Sequence, residues 1–248
     1  MPRYFIEVSY KGTNYSGFQI QKNANSIQSE IEKALKIFFR KDFELTGSSR
    51  TDAGVHALQN FFHFDIAESL HFQNDFQYNL NAILPNDIVI KKIFPVNDNI
   101  HCRFDAVSRD YKYFIYQKKD PFLQDTAYYY PYKLDLKKLN DAAQQIIRHE
   151  DFTSFSKRNT QAKNFICKIL KSEWYAEGDM IIYTVVSNRF LRGMVKALVG
   201  TMLRVGTNKI LISEFTKIIE NKDCNQADFS PPSRGLFLKA VNFDSSAF

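Results

Sequence analysis

Apolar and polar residues alternate along Tyr4-Phe5-Ile6-Glu7-Val8-Ser9-Tyr10, the two-residue period of a strand. The next residues, Lys11 to Gly17, bring two glycines, an asparagine and a serine and mark a turn or loop. A helix follows: Asn25 or Ser26 caps it, and Ile27, Ile31, Ala34, Leu35 and Phe38 recur at the spacing of one buried helical face. Phe43 to Thr46 and Asn60 to Asp65 read as strands on either side of a polar loop, Gly47 to His56. Gln73 to Leu84 has a helical pattern stopped by Pro85, and Asp87 to Val96 returns as a strand. The second part repeats the style. It predicts strands at Tyr111 to Gln117, Lys168 to Ala176, Met180 to Ser187 and Gly235 to Phe243, and helices at Asp135 to Arg148, Phe190 to Val205 and Glu214 to Glu220.

Strands and helices therefore mix with tight turns and without a strict βαβ order. That favours an α+β protein with mainly antiparallel sheets over a doubly wound parallel sheet. The 248 residues allow one large domain or two. No residue-level repeat and no Gly/Ser/Pro-rich linker separates the halves, so two domains are expected to share an extensive contact.

Composition sharpens the picture. With 44% hydrophobic and 24% charged residues the chain can bury a core, and no apolar run approaches the roughly 20 residues of a membrane span. The first residues carry a charge within their apolar stretch, unlike a secretory signal. Cys102, Cys167 and Cys224 stand far apart, with no metal-like spacing to the five histidines, which suits a reduced, metal-free, cytoplasmic protein. Charge is uneven: residues 1–105 hold 11 basic and 12 acidic side chains, and residues 106–248 hold 22 and 15, a net of +7. Such an excess is the footprint of a phosphate-rich partner. Lys157, Arg158, Lys163, Lys168 and Lys171 fall within one stretch free of acids, which by itself reads as a solvated loop.

The polar loop is the most unusual segment. In Arg50-Thr51-Asp52, flanked by Gly47 and Gly54, small residues let backbone approach a ligand closely. An Arg two residues from an Asp can pair with it and keep it deprotonated, available as nucleophile or base. On these residues alone, a turn with a surface arginine is the commoner outcome. The longer run Gly47-Ser48-Ser49-Arg50-Thr51-Asp52-Ala53-Gly54-Val55-His56-Ala57 closely resembles the catalytic motif of the TruA family of tRNA pseudouridine synthases, GRTDAGVHA, with Ser49 in place of the usual Gly. Other matches follow in order: Tyr10-Lys11-Gly12 with Tyr15 to Gln19, Ser26-Ile27-Gln28, Asn81 to Pro85, His101 to Ala106, Ser108 to Tyr113, Asp151 to Phe155, Phe190 to Lys196, and Gly235 to Leu238. The resemblance spans residues 4 to 243. Two positions depart from it: Lys196 stands where Arg is usual, keeping charge but losing the planar fork, and Asp110 precedes Tyr111 where a basic or neutral residue is common.

The resemblance implies a pseudouridine synthase fold, two similar α+β domains flanking a central cleft. Residues 1–105 would carry the catalytic Asp loop, and residues 106–248 the active-site Tyr and the RNA contacts. Asp52 would be the catalytic carboxylate, attacking C1′ or C6 or removing the 2′ proton, and Arg50 would orient it and fill the space of the flipped nucleotide. Tyr111, by pattern a sheet tyrosine, would stack on the uracil. Leu236 would wall the pocket, and Lys196 would reach the carboxylate or the RNA backbone. Arg192, Lys157, Arg158 and Lys163 would hold phosphates without reading sequence, and His56 and His63 would be structural. The implied substrate is the tRNA anticodon arm at uridines 38, 39 and 40, the implied assembly a homodimer, and no cofactor or metal is needed for a redox-neutral isomerisation. A tRNA-binding protein of the same fold without catalysis is the alternative, marked by loss of Asp52 or Tyr111. A small-molecule hydrolase using Asp52 would leave the basic excess unexplained.

Overall fold

In a computed structural model residues 1–67, 75–160 and 162–244 are described. The chain forms two compact units, Met1–Val107 with Leu238–Phe248, and Ser108–Phe237. The last strand, β9 (Leu236–Phe243), starts in the second unit and ends in the first.

In the first unit β1 (Arg3–Tyr10) lies between β3 (His56–Asp65) and β4 (Ile88–Val96), antiparallel to both, and the short β2 (Thr46–Gly47) pairs with β3. Ile6 sits opposite Phe62 on one side and Ile93 on the other. The run Phe61-Phe62-His63-Phe64 does not alternate, because all four residues are buried. Phe18 stacks on Phe62, ring centres 4.3 Å apart, while Phe61 meets Phe243 edge-on. A strand covered on both faces loses the period of two. Helix α1 (Ile27–Phe39) starts on Ser26, whose hydroxyl accepts from the Ser29 amide while the Ser29 hydroxyl accepts from the Ser26 amide, a reciprocal cap. It buries Ile27, Ile31, Ala34 and Leu35, four of the five residues expected on its inner face. Helix α2 spans Phe76–Ile83; the expected start at Gln73 lies outside the described residues.

In the second unit β8 (Met180–Ser187) pairs antiparallel with β5 (Ala106–Tyr116) and β7 (Ile169–Glu177), and the two-residue β6 (Tyr128–Tyr129) adds a parallel pairing to β5. Helices α3 (Leu136–Ile147), α4 (Met194–Gly206) and α5 (Ile212–Glu220) complete it. Tyr113 and Tyr183 are wholly buried yet satisfied, donating to the Pro232 carbonyl (2.7 Å) and sharing a hydrogen bond with the Ser172 hydroxyl (2.9 Å). The pattern placed the start of the fourth helix at Phe190. The helix begins instead at Met194, after Gly193 at φ +74°, a left-handed turn that interrupts helical backbone. Arg192 therefore precedes the helix and does not share a face with Lys196.

Candidate active site

Residues 48–55, between β2 and β3, form a loop tied down from three sides. The Ser48 amide donates to the Phe61 carbonyl (2.8 Å), and the Thr51 carbonyl accepts from the Phe18 amide (3.1 Å). Asn60, fully buried in the apolar run of β3, uses its whole amide. Its Oδ1 accepts from the Ser49 and Phe61 amides (3.3 and 2.9 Å), and its Nδ2 donates to the Ser49 carbonyl (2.9 Å) and to Tyr10 Oη (3.2 Å). Tyr10 Oη in turn shares a 2.8 Å hydrogen bond with Thr51 Oγ1. The register between β1 and β3 slips between Val8 and Tyr10, leaving Tyr10 at the strand end that faces the loop. The far end of the loop is closed by the Val55 amide on the Asp52 carbonyl (3.1 Å) and by Gly54 at φ +75°. Gly12 packs so closely that an added Cβ would lie 2.0 Å from the Val55 carbonyl oxygen, and its amide donates to Nδ1 of buried His56 (3.1 Å).

Ser49 and Thr51 are thus anchored and buried, while Arg50 between them is exposed and Asp52 is half-buried. The ion pair that the Arg50/Asp52 spacing permits is not made among the described residues. The chain is anchored on both sides of Arg50, at Ser49 and at Thr51. The Oγ atoms of Ser48 and Ser49 are buried and meet no hydrogen-bond partner.

The other expected site residues belong to the second unit. Tyr111 is buried on β5 opposite Val185, its ring edge-on to Phe190 with centres 5.0 Å apart. Leu236 is buried at the start of β9. Lys196 lies half-buried in the first turn of α4, and Arg192 is exposed in the turn before it. The Lys157 amide donates to the Arg192 carbonyl (3.0 Å), and the Lys157 side chain lies over Gly193, where a Cβ would meet it at 3.0 Å. Lys157, Arg158 and Lys222 line a cleft of about 350 Å³ together with Asn159, Phe165 and Asp223. Arg158 donates to Asn225, and Lys222 pairs with Asp151 at 2.8 Å. Lys163 is exposed and does not line this cleft.

Spacing alone showed no metal cluster, yet folding brings the side chains of His63, His101 and Cys102 within 4.8 Å of one another. Their hydrogen bonds oppose metal binding. Nδ1 of His63 accepts from the Cys102 amide (3.3 Å) and Nδ1 of His101 from the Arg103 amide (3.1 Å). Each neutral ring therefore carries its proton on Nε2, the nitrogen a cation would need. Burial and then the nearby Arg3 charge push His63 down to about 4 and lower His101 as well.

Comparison with known proteins decides between enzyme and binding module. The family model for tRNA pseudouridine synthase matches residues 6–105 and 142–244. The chain belongs to this family. It is similar over its whole length to tRNA pseudouridine synthase A of Parabacteroides distasonis, 43% identical across 100% of the chain and 98% of the relative. The protein of the same name from Bacteroides fragilis is 44% identical across 99% and 98%, and that of Staphylococcus aureus strain MRSA252 is 36% identical across 98% and 93%. As a member of the tRNA pseudouridine synthase family the chain is an enzyme, an isomerase. The family match contains the loop with Asp52 and also Lys157, Lys196 and Leu236, whereas Tyr111 falls between its two segments and is covered by the full-length relatives. Sequence reasoning missed Asn60 and the role of Tyr10. The available signal was an amide directly before the run Phe61 to Phe64 of β3.

Proposed function

We propose that this protein converts uridines 38, 39 and 40 of the tRNA anticodon arm to pseudouridine, with Asp52 as the catalytic carboxylate. The observation that carries this reading is the anchored loop: Asp52 half-buried, Arg50 exposed, and the residues between and beside them fixed by buried hydrogen bonds. The isomerisation breaks the N1–C1′ bond, joins C1′ to C5, releases the C5 proton and returns a proton to N1. Asp52 serves it by attack at C1′ or C6 or by taking the 2′ proton. Arg50 fills the space left by the flipped nucleotide. Tyr111 and Leu236 bind the uracil by stacking and apolar contact, and Lys196 holds a negative group of the site. Arg192, Lys157, Arg158 and Lys163 take phosphates, as the cleft lined by Lys157 and Arg158 suits. The reading includes a homodimer acting in the cytoplasm and no cofactor; no helix among the described residues is long and apolar enough to cross a membrane.

Tritium release from tRNA labelled at uridine C5 tests the assignment. Wild type should release it and Asp52→Ala should not, with tRNA affinity within a few-fold, because one carboxylate serves the transition state and hardly the phosphates. Release by the variant near the wild-type rate rejects Asp52.

A further inference from the structure

We propose that Tyr10 and Asn60 are positioning residues for the reaction, and that the Thr51 hydroxyl is the point through which they act on Asp52. This rests on Asp52 being the catalytic carboxylate. Asn60 clamps Ser49 through both its amide and its carbonyl, and Tyr10 carries the same network on to the Thr51 side chain. Each member is buried, with Asn60 at 0%, Tyr10 at 4% and Thr51 at 8% exposure. A network shielded from water, with each of the four hydrogen-bonding positions of the Asn60 amide filled, holds one geometry. It reaches the chain on both sides of Arg50, at Ser49 and at Thr51, and Thr51 is joined directly to Asp52. With no Arg50–Asp52 ion pair to aim the carboxylate, these hydrogen bonds fix where it stands. None of the three side chains needs to touch the uridine.

The network makes a distinctive prediction because its removal can be nearly isosteric. Tyr10→Phe keeps the ring, which packs 6.0 Å from that of Phe18, and deletes the oxygen shared by Asn60 and Thr51. Thr51→Val keeps the shape of the side chain and deletes its hydroxyl, whereas Thr51→Ser restores a hydroxyl. A carboxylate displaced by about an ångström loses on the order of a hundredfold in rate. Tyr10→Phe and Thr51→Val should therefore lower kcat by roughly 10- to 100-fold, with the KM for tRNA within about twofold. Thr51→Ser should stay within about threefold of wild type.

The experiment is steady-state tritium release with full-length protein, below the melting temperature of every variant, with the folded fraction measured by circular dichroism. Unchanged kcat in folded Tyr10→Phe and Thr51→Val overturns the proposal. So does a loss that follows only the folded fraction, or a Thr51→Ser as slow as Thr51→Val. Asp52→Ala run alongside separates the two readings. If it stays active, the carboxylate assignment fails; if it is dead while the other variants turn over normally, only the positioning role fails.

Discussion

Arg50 is exposed although its neighbours on both sides, Ser49 and Thr51, are buried, so a change of its side chain leaves the local packing untouched. Because it makes no ion pair with Asp52, replacement by lysine should leave folding unchanged and act on substrate alone. Arg50→Lys exchanges a planar fork for a point charge and should lower turnover by about tenfold at unchanged melting temperature; equal turnover would remove Arg50 from the reaction. Gly12 is the opposite case. Its Cβ would lie 2.0 Å from a backbone oxygen, so Gly12→Ala must shift the chain at Val55 and should cost roughly 2 kcal/mol, read as a lower urea midpoint. The loop around Asp52 was legible from sequence because eight consecutive residues, Arg50 to Ala57, carry the family pattern. Tyr10 and Asn60 were not, since their hydrogen bonds join positions 41 and 50 residues apart and no local period records such a link.

At the level of elements, Met180–Ser187 was read with its observed limits, being an apolar run bounded by turn residues on both sides. Ends set by tertiary hydrogen bonds shifted. β3 begins at His56 rather than Asn60, extended by pairing of Ala57 with Tyr10, and Phe43 to Thr46 shrinks to the two-residue β2. Placing His63 on β3 has an energetic consequence. It faces Arg3, Asp65, His101 and Cys102, and burial with the Arg3 charge holds its pKa near 4 against 6.5 for the free side chain. The depressed value means that the unfolded chain takes up the proton first as pH falls. Stability from this group is thus complete above about 6.5 and is lost progressively towards pH 4. The loss should be roughly 2 kcal/mol after allowance for screening. Urea unfolding at pH 7.5 and pH 4.5 should show it, and a folded His63→Asn variant should have a shallower dependence; parallel curves would place the acid sensitivity elsewhere.

For the whole molecule the deciding quantity is charge. The net of +7 over residues 106–248 against −1 over residues 1–105 was visible in the sequence, but which basic side chains remain available for phosphate was not. Lys171 pairs with Glu173 at 2.6 Å, its neighbour on the same face of β7, and Lys222 pairs with Asp151 at 2.8 Å, a partner distant in the chain that no local spacing selects. Lys157, Arg158 and Lys163 form no ion pair among the described residues, although Arg158 donates to Asn225. If these three take RNA phosphates, changing them together to Glu should weaken tRNA binding and flatten its salt dependence, since each phosphate neutralised contributes about 0.7–0.9 to the slope of log K against log salt. The slope should fall by roughly one to three. Every tRNA should be affected alike, because such contacts position without specifying. Turnover at saturating tRNA should change less than affinity. Fluorescence anisotropy of labelled tRNA between 50 and 300 mM salt, values on the order of those where such slopes are steep, makes the measurement. An unchanged slope would mean that this face is only solvated and that Arg192, Lys196 and the stretch from Arg109 to Lys112 carry the phosphate contacts instead.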